Sequence, residues 1–220
     1  MATRNIFSEE LNRLRQDILA MATKVEENLG KAVIALRTRN EELAKEVRAD
    51  DAEVDALQVK IEDDAAIVIA TQQPVARDLR EMVTIFKLTS NIERIGDHAV
   101  HLAIAAKKLA KRKESLAAQK HLEVMALTGQ EMIRAAISAF MAQDANAARE
   151  AAAMDQKIDN EHKELTEEIL KHMKKNSDKV KGALQIIHTS SQLERLGDHI
   201  TNICEAIIYM VEGKHEELNE

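Results

Sequence analysis

The chain has no tryptophan, one proline and one cysteine, and each shortage excludes something. One proline and six glycines in 220 residues are too few to punctuate a sheet protein full of turns. Aromatic residues make up only 2%, so no aromatic anchor for an interface stands out. The single cysteine, Cys204, rules out an intramolecular disulfide and fits a reducing compartment. Between Ile203 and Glu205 on a helical pattern, it reads as a small packing residue rather than a nucleophile. Long apolar runs are also missing. The longest purely apolar stretch is Ala65–Ala70, whereas a membrane span needs about 20 such residues. The opening Met-Ala-Thr-Arg-Asn-Ile-Phe lacks the apolar core of a signal peptide. No strongly basic patch is present, and the net charge is −7, so nucleic acid is not an expected partner. The surplus of carboxylates leaves a metal cation as a candidate.

What is present points to helix. Ala, Leu, Ile, Glu, Lys and Met dominate, and these residues have the best helix propensities. Charged residues reach 31%, which suits long helices with wet outer faces. The chain also repeats itself. Residues 90–98 read SNIERIGDH and residues 191–199 read SQLERLGDH, with an offset of 101. Upstream the match continues at an offset of 104: Asn40 with Asp144, Ala44 with Ala148, Asp51 with Asp155, Asp55 with Asp159. The three missing residues fall between Gln72-Gln73-Pro74 in one copy and Lys175-Asn176-Ser177 in the other, where a turn belongs. The fold class is therefore all-α, with six long helices, three in each of two halves built alike. The expected halves are 1–113 and 114–220.

Within each half the start signals agree. Ser8 is a candidate cap for the first helix, with Glu9 and Glu10 in its first turn. Leu11, Leu14, Ile18, Met21, Val25, Leu29 and Ala32 recur at helical spacing. Asn40 starts the second helix, and Pro74 fits the first turn of the third. Ser115, Asp144 and Ser177 or Asp178 are the counterparts in the second half.

The acids carry the chemistry. Glu93 and Asp97 are four apart and share a helix face, and His101 follows at another four. Glu194, Asp198 and Asn202 repeat that pattern, and Glu205 lies three turns beyond Glu194. On the preceding helices Asp51 pairs with Asp55 and Asp155 with Asp159. The midpoint between the first copy's two acid pairs is Pro74, and in the second copy it falls between Asn176 and Ser177. Both midpoints are the expected turns, so four carboxylates stand level in each antiparallel hairpin. Four such groups repel one another unless protons or cations neutralise them. With an imidazole nearby they suit hard or borderline metal ions. A single acid pair of this kind is usually a solvated face; four pairs at matching heights favour metal. Gly96 and Gly197 interrupt strong helical patterns beside the acids, each at about 1 kcal/mol relative to alanine. A glycine there lets another group approach closely. His98 and His199 point about 100° away from the neighbouring aspartates, and for them surface or packing roles are favoured. Glu27 and Glu131 fall near the same height as weaker candidates, and Arg94 and Arg195 are potential ion-pair partners of the acids.

The duplicated three-helix pattern, QQPVARDLR at 72–80, the blocks ERIGDH and ERLGDH, and DHITNICEAIIYMVEG at 198–213 resemble the PhoU family over essentially the whole chain. That resemblance implies two tandem pseudo-symmetric three-helix bundles, with multinuclear clusters of divalent or trivalent metal ions (Fe, Zn, Mn or Mg) at the acidic motifs. One site would use Asp51, Asp55, Glu93 and Asp97, with His101. The other would use Asp155, Asp159, Glu194 and Asp198, with Asn202 and Glu205. In the first motif His101 and Ile104 stand where the second has Asn202 and Glu205, so the first site should be poorer in oxygen ligands. The resemblance further implies a cytoplasmic, often dimeric, non-enzymatic negative regulator of phosphate uptake and of the phosphate-starvation response. It would reach the inner face of the membrane through its partners, the phosphate transporter's ATPase and the phosphate sensor histidine kinase. Arg77, Arg80 and Lys181 near the turns are candidate contacts, with solvated charge the plainer reading.

Three other readings compete. A regulator of a different phosphate transporter would use the same fold. A carboxylate-bridged metalloenzyme of the ferritin-like class needs paired Glu-x-x-His motifs, and Glu212–His215 is the sole example. A plain helical adaptor with decorative acids would bind no metal.

Overall fold

The computed structural model describes residues 2–110, 116–175 and 180–219. The expected boundary at 113/114, the candidate caps Ser115, Ser177 and Asp178, and the turn around Asn176 lie outside them. Among the described residues the chain is helical, with α1 at Ala2–Thr38, α2 at Glu41–Gln72 and α3 at Arg77–Ala110. After these come α4 at Leu116–Ala142, α5 at Ala145–Ala152, α6 at Asp155–Lys175 and α7 at Val180–Glu212.

The first reversal has the same construction in both repeats. Arg39 and Gln143 both adopt a left-handed conformation, with φ of 57° and 54°. The next amide then reaches back five residues, Asn40 to the Ala35 carbonyl and Asp144 to that of Ala139. Each polar side chain goes on to cap the following helix. Asn40 Oδ1 accepts from the amides of Glu42 and Leu43, and Asp144 Oδ1 from those of Asn146 and Ala147.

Three expectations need correction. α1 begins at Ala2, so Ser8 lies inside a helix and does not cap it. Phe7, packed on the core, extends the apolar stripe past Ser8. Pro74 precedes α3 rather than opening it. Gln73 and Ala76 are both left-handed, with φ of 47° and 48°, and a right-handed helix cannot start until Arg77. The second helix of the second repeat is two segments, because the ladder tightens at Ala153 and Met154. There Met154 donates to the Ala151 carbonyl, and Lys157 to that of Met154. The break leaves Asp155 in the first turn of α6, where the helix dipole favours a carboxylate.

α1, α2 and α3 pack together as one bundle, and α4, α5–α6 and α7 as the other. The bundles join through α1 on α4 and α3 on α7. The stripe Leu11, Leu14, Ile18, Met21, Val25, Leu29 and Ala32 is buried throughout, in a core that runs from Leu11 to Met210 across both repeats.

Candidate metal centre

In the first repeat α2 presents Asp51 and Asp55 to Glu93 and Asp97 of α3. Asp51 is half-buried. Burial first, then the charges of Asp55 and Asp97, push its pKa up to about 6. Glu93 is raised by burial, then by Asp97 and the two aspartates of α2, against the lowering effect of Arg94. Arg94 stands 3.5 Å from Glu93 and 3.3 Å from Asp97, a partial internal counter-charge.

The second repeat brings Asp155, Asp159, Glu194 and Asp198 onto one cleft of about 440 Å³. Asp155 is the deepest of them, 8% exposed. Its Oδ2 accepts from Thr201 Oγ1 at 3.1 Å, while its buried Oδ1 has no hydrogen-bond partner. Burial, then the charge of Asp159, pushes its pKa up to about 7, with Asp198 and Glu194 adding to the shift and Thr201 opposing it. Glu194 and Asp198 are both raised as well, by burial first and then by neighbouring carboxylates, Asp198 for Glu194 and Asp159 for Asp198.

The two helical glycines explain how the aspartates reach these positions. A Cβ on Gly96 would come within 3.3 Å of Asp51 Oδ1, and one on Gly197 would overlap Asp155 Oδ1 outright. In each repeat the aspartate of the preceding helix leans over a glycine of the motif helix; a side chain at 197 would push Asp155 out, and one at 96 would crowd Asp51.

The remaining candidates are placed differently. Asn202 and Glu205 do not join the four acids. They line a neighbouring cleft of about 410 Å³ with Lys87, Asn91 and His215. Glu205 Oε1 already accepts from the Leu218 amide at 2.8 Å. His101 is exposed, and its ring lies 6.0 Å from that of His98. Glu27 and Glu131 are exposed, and their charges act on Lys31 and Arg134 instead. Arg77 bonds Gln143 at 2.8 Å, and Lys181 is solvated. Cys204 is fully buried, and desolvation pushes its thiol up to about 12, so it does not serve as a nucleophile.

His98 and His199 face each other across the α3–α7 contact, with ring centroids 5.5 Å apart. Nδ1 of His98 meets Oε1 of Gln192 at 3.1 Å, and Nδ1 of His199 meets Oδ1 of Asn91 at 2.9 Å. An amide oxygen only accepts, so each imidazole donates from Nδ1. Asn91 and Gln192 are equivalent positions of the two motifs, and the bonds are a reciprocal exchange between repeats. Burial, then the charge of His199, lowers the pKa of His98 to about 4. These histidines join the repeats rather than face the acids. Sequence reasoning missed this exchange, and it missed Thr201, whose counterpart in the first repeat is Val100.

The donor set fits a hard cation: Asp51, Glu93, Asp155, Glu194 and Asp198 are raised in pKa by burial and by neighbouring carboxylates, and one buried oxygen of Asp155 is left unpartnered. Among the described residues, no three His, Cys, Asp or Glu side chains are grouped so as to hold a metal ion as they stand.

A family model, the PhoU domain, matches residues 18–106 and 122–207, one segment on each repeat. The chain belongs to the PhoU family. Its PhoU relatives match it end to end. A "Phosphate-specific transport system accessory protein PhoU homolog" from Clostridium acetobutylicum is 33% identical over 219 residues, covering 99% of this chain and 100% of the relative. The crystal structure of PhoU from Pseudomonas aeruginosa superposes with a TM-score of 0.90 at 34% identity, over 94% of this chain and 100% of that one. That of the phosphate transport system regulatory protein PhoU from Streptococcus pneumoniae gives 0.88 at 30% identity, over 96% and 99%. The two-bundle, all-helical architecture is thus the PhoU fold.

Proposed function

We propose that this protein is a non-enzymatic accessory regulator of phosphate transport, which restrains phosphate uptake and the phosphate-starvation response. The observation that carries this reading is its full-length similarity to relatives named for the phosphate-specific transport system. No helix among the described residues is long and apolar enough to cross a membrane. A cytoplasmic protein, acting as a dimer on the transporter ATPase and the phosphate sensor kinase, is consistent with that.

The acidic clusters are the proposed cation sites, one on each repeat, with Asp51, Asp55, Glu93 and Asp97 in the first and Asp155, Asp159, Glu194 and Asp198 in the second. When bound, divalent or trivalent cations such as Mn²⁺, Fe²⁺, Zn²⁺ or Mg²⁺ neutralise the repulsion among the acids. Asp51 and Asp155, held over Gly96 and Gly197, supply the deep oxygens, and the flanking acids close over them. The outer face of each bundle then changes from strongly acidic to one that accepts an anionic partner surface.

A variant with all eight acids replaced by asparagine or glutamine tests both halves of the proposal. In elemental analysis it should lose the metal that the unaltered chain retains. In a strain lacking its own regulator, the unaltered chain should silence a phosphate-starvation reporter and the variant should not. A folded variant that still silences the reporter would remove metal from the mechanism. An unaltered chain with no effect on the reporter would remove the regulatory reading.

A further inference from the structure

α7 ends at Glu212, where Gly213 turns left-handed, at φ +72°, and its amide bonds the Tyr209 carbonyl at 2.9 Å. The chain therefore doubles back along α7. A single guanidinium, that of Arg149 on α5, grips the segment. It bonds Glu212 at 2.9 and 3.0 Å and Glu216 at 2.6 Å. His215 stacks on Tyr209 with centroids 4.2 Å apart. Beyond these anchors the segment reaches the second acidic cleft. The Leu218 amide donates to Glu205, the Asn219 side chain donates to the Asp198 carbonyl at 3.5 Å, and both residues line the cleft of Asp155, Asp159, Glu194 and Asp198. The segment lies beyond the second PhoU match, which ends at residue 207.

From these contacts we infer that Gly213–Asn219 is a strap over the second acidic cleft, and that it competes with a divalent cation for that cleft. The inference rests on the proposed cation sites. The bonds of Leu218 to Glu205 and of Asn219 to the Asp198 carbonyl hold the two residues in the wall of that cleft, where a cation would have to displace them. The Leu218 side chain, packed partly on the core, lines the cleft that a hydrated ion would enter. Linkage makes the effect reciprocal: the strap weakens cation binding by the factor by which the cation loosens the strap.

Two variants of the full chain release the strap without touching the four acids: Arg149→Ala removes the grip, and Leu218→Pro removes the amide hydrogen. Mn²⁺ is titrated into each by calorimetry, with circular dichroism to verify folding. Trypsin cleavage after Lys214 is followed by mass spectrometry with and without Mn²⁺. Expected are Mn²⁺ binding about tenfold tighter in both variants, equivalent to about 1.4 kcal/mol, and faster cleavage of the unaltered chain when Mn²⁺ is present. Binding that appears only in the variants supports the strap equally. Mn²⁺ binding with unchanged affinity and unchanged cleavage would overturn the strap and leave the cation sites standing. No Mn²⁺ binding in any of the three proteins would overturn both.

Discussion

Asp155 has more charge pressed on it than its surroundings can neutralise. It is nearly buried, one oxygen has only Thr201, and the other has no partner. Its folded pKa, about 7, lies above its value in an unfolded chain. The folded protein therefore holds a proton there that the unfolded chain releases. Its contribution to stability is complete below the unfolded value and is lost as pH rises through about 7. Asp51, at about 6, adds a loss of the same sign. In chelator, Asp155→Asn should be more stable than the unaltered chain at pH 7.5, by about 2 kcal/mol. At pH 4 the advantage should vanish. Urea melts at the two pH values check this, and a variant less stable at pH 7.5 would contradict the burial account. At this scale the sequence was informative where chemistry repeats at helical spacing: Asp51 and Asp55 act on Glu93 and Asp97 because the midpoint of their hairpin falls at the turn around Pro74. Thr201 was not legible, because a lone threonine in a helix has no signature until the preceding helix is placed against it.

Elements were legible where a local signal decides them. Asn40 and Asp144 cap as their residue types require, and both follow a left-handed residue that no glycine announced. Ser8 and Pro74 misled for one reason: each is a start signal that a neighbour overrode, Phe7 by packing and Ala76 by its left-handed backbone. The α5–α6 break had no cue in its alanine-rich stretch. The α3–α7 contact was also hidden, because its polar bonds join residues 94 and 108 positions apart. Those bonds make a prediction at this scale. Gln192→Ala leaves the Nδ1 hydrogen of buried His98 without an acceptor and should cost about 1–3 kcal/mol. Asn91→Ala should cost less, since His199 is more exposed. Urea denaturation of the two variants decides it. Equal stability of Gln192→Ala and the unaltered chain would mean that the His98–Gln192 bond adds nothing to the interface.

The repeat was visible from two nine-residue blocks, and it fixed the class of fold before any coordinate. How the two copies lean on each other was not visible, because the apolar stripes that meet between bundles look like any core-facing stripe. The structure makes them one body. α1 packs on α4, with Gln130 donating to the Glu26 carbonyl at 3.0 Å. Across the other seam Thr84 donates to the Ala206 carbonyl at 3.2 Å, fully buried. Separating the bundles would expose both apolar seams and leave these groups unpaired. The 220 residues should therefore unfold in one cooperative step. Calorimetry near 60 °C should give about 150 kcal/mol for a chain of this length, equal to the van't Hoff value. Two resolved transitions would show that the repeats fold separately. Cooperativity also carries a consequence for the cation sites. A ligand that binds only the folded chain stabilises the entire cooperative unit. Ions at either cluster should thus raise the same single melting temperature, and Asp51→Asn and Asp155→Asn should each remove part of one shared shift rather than all of a separate one.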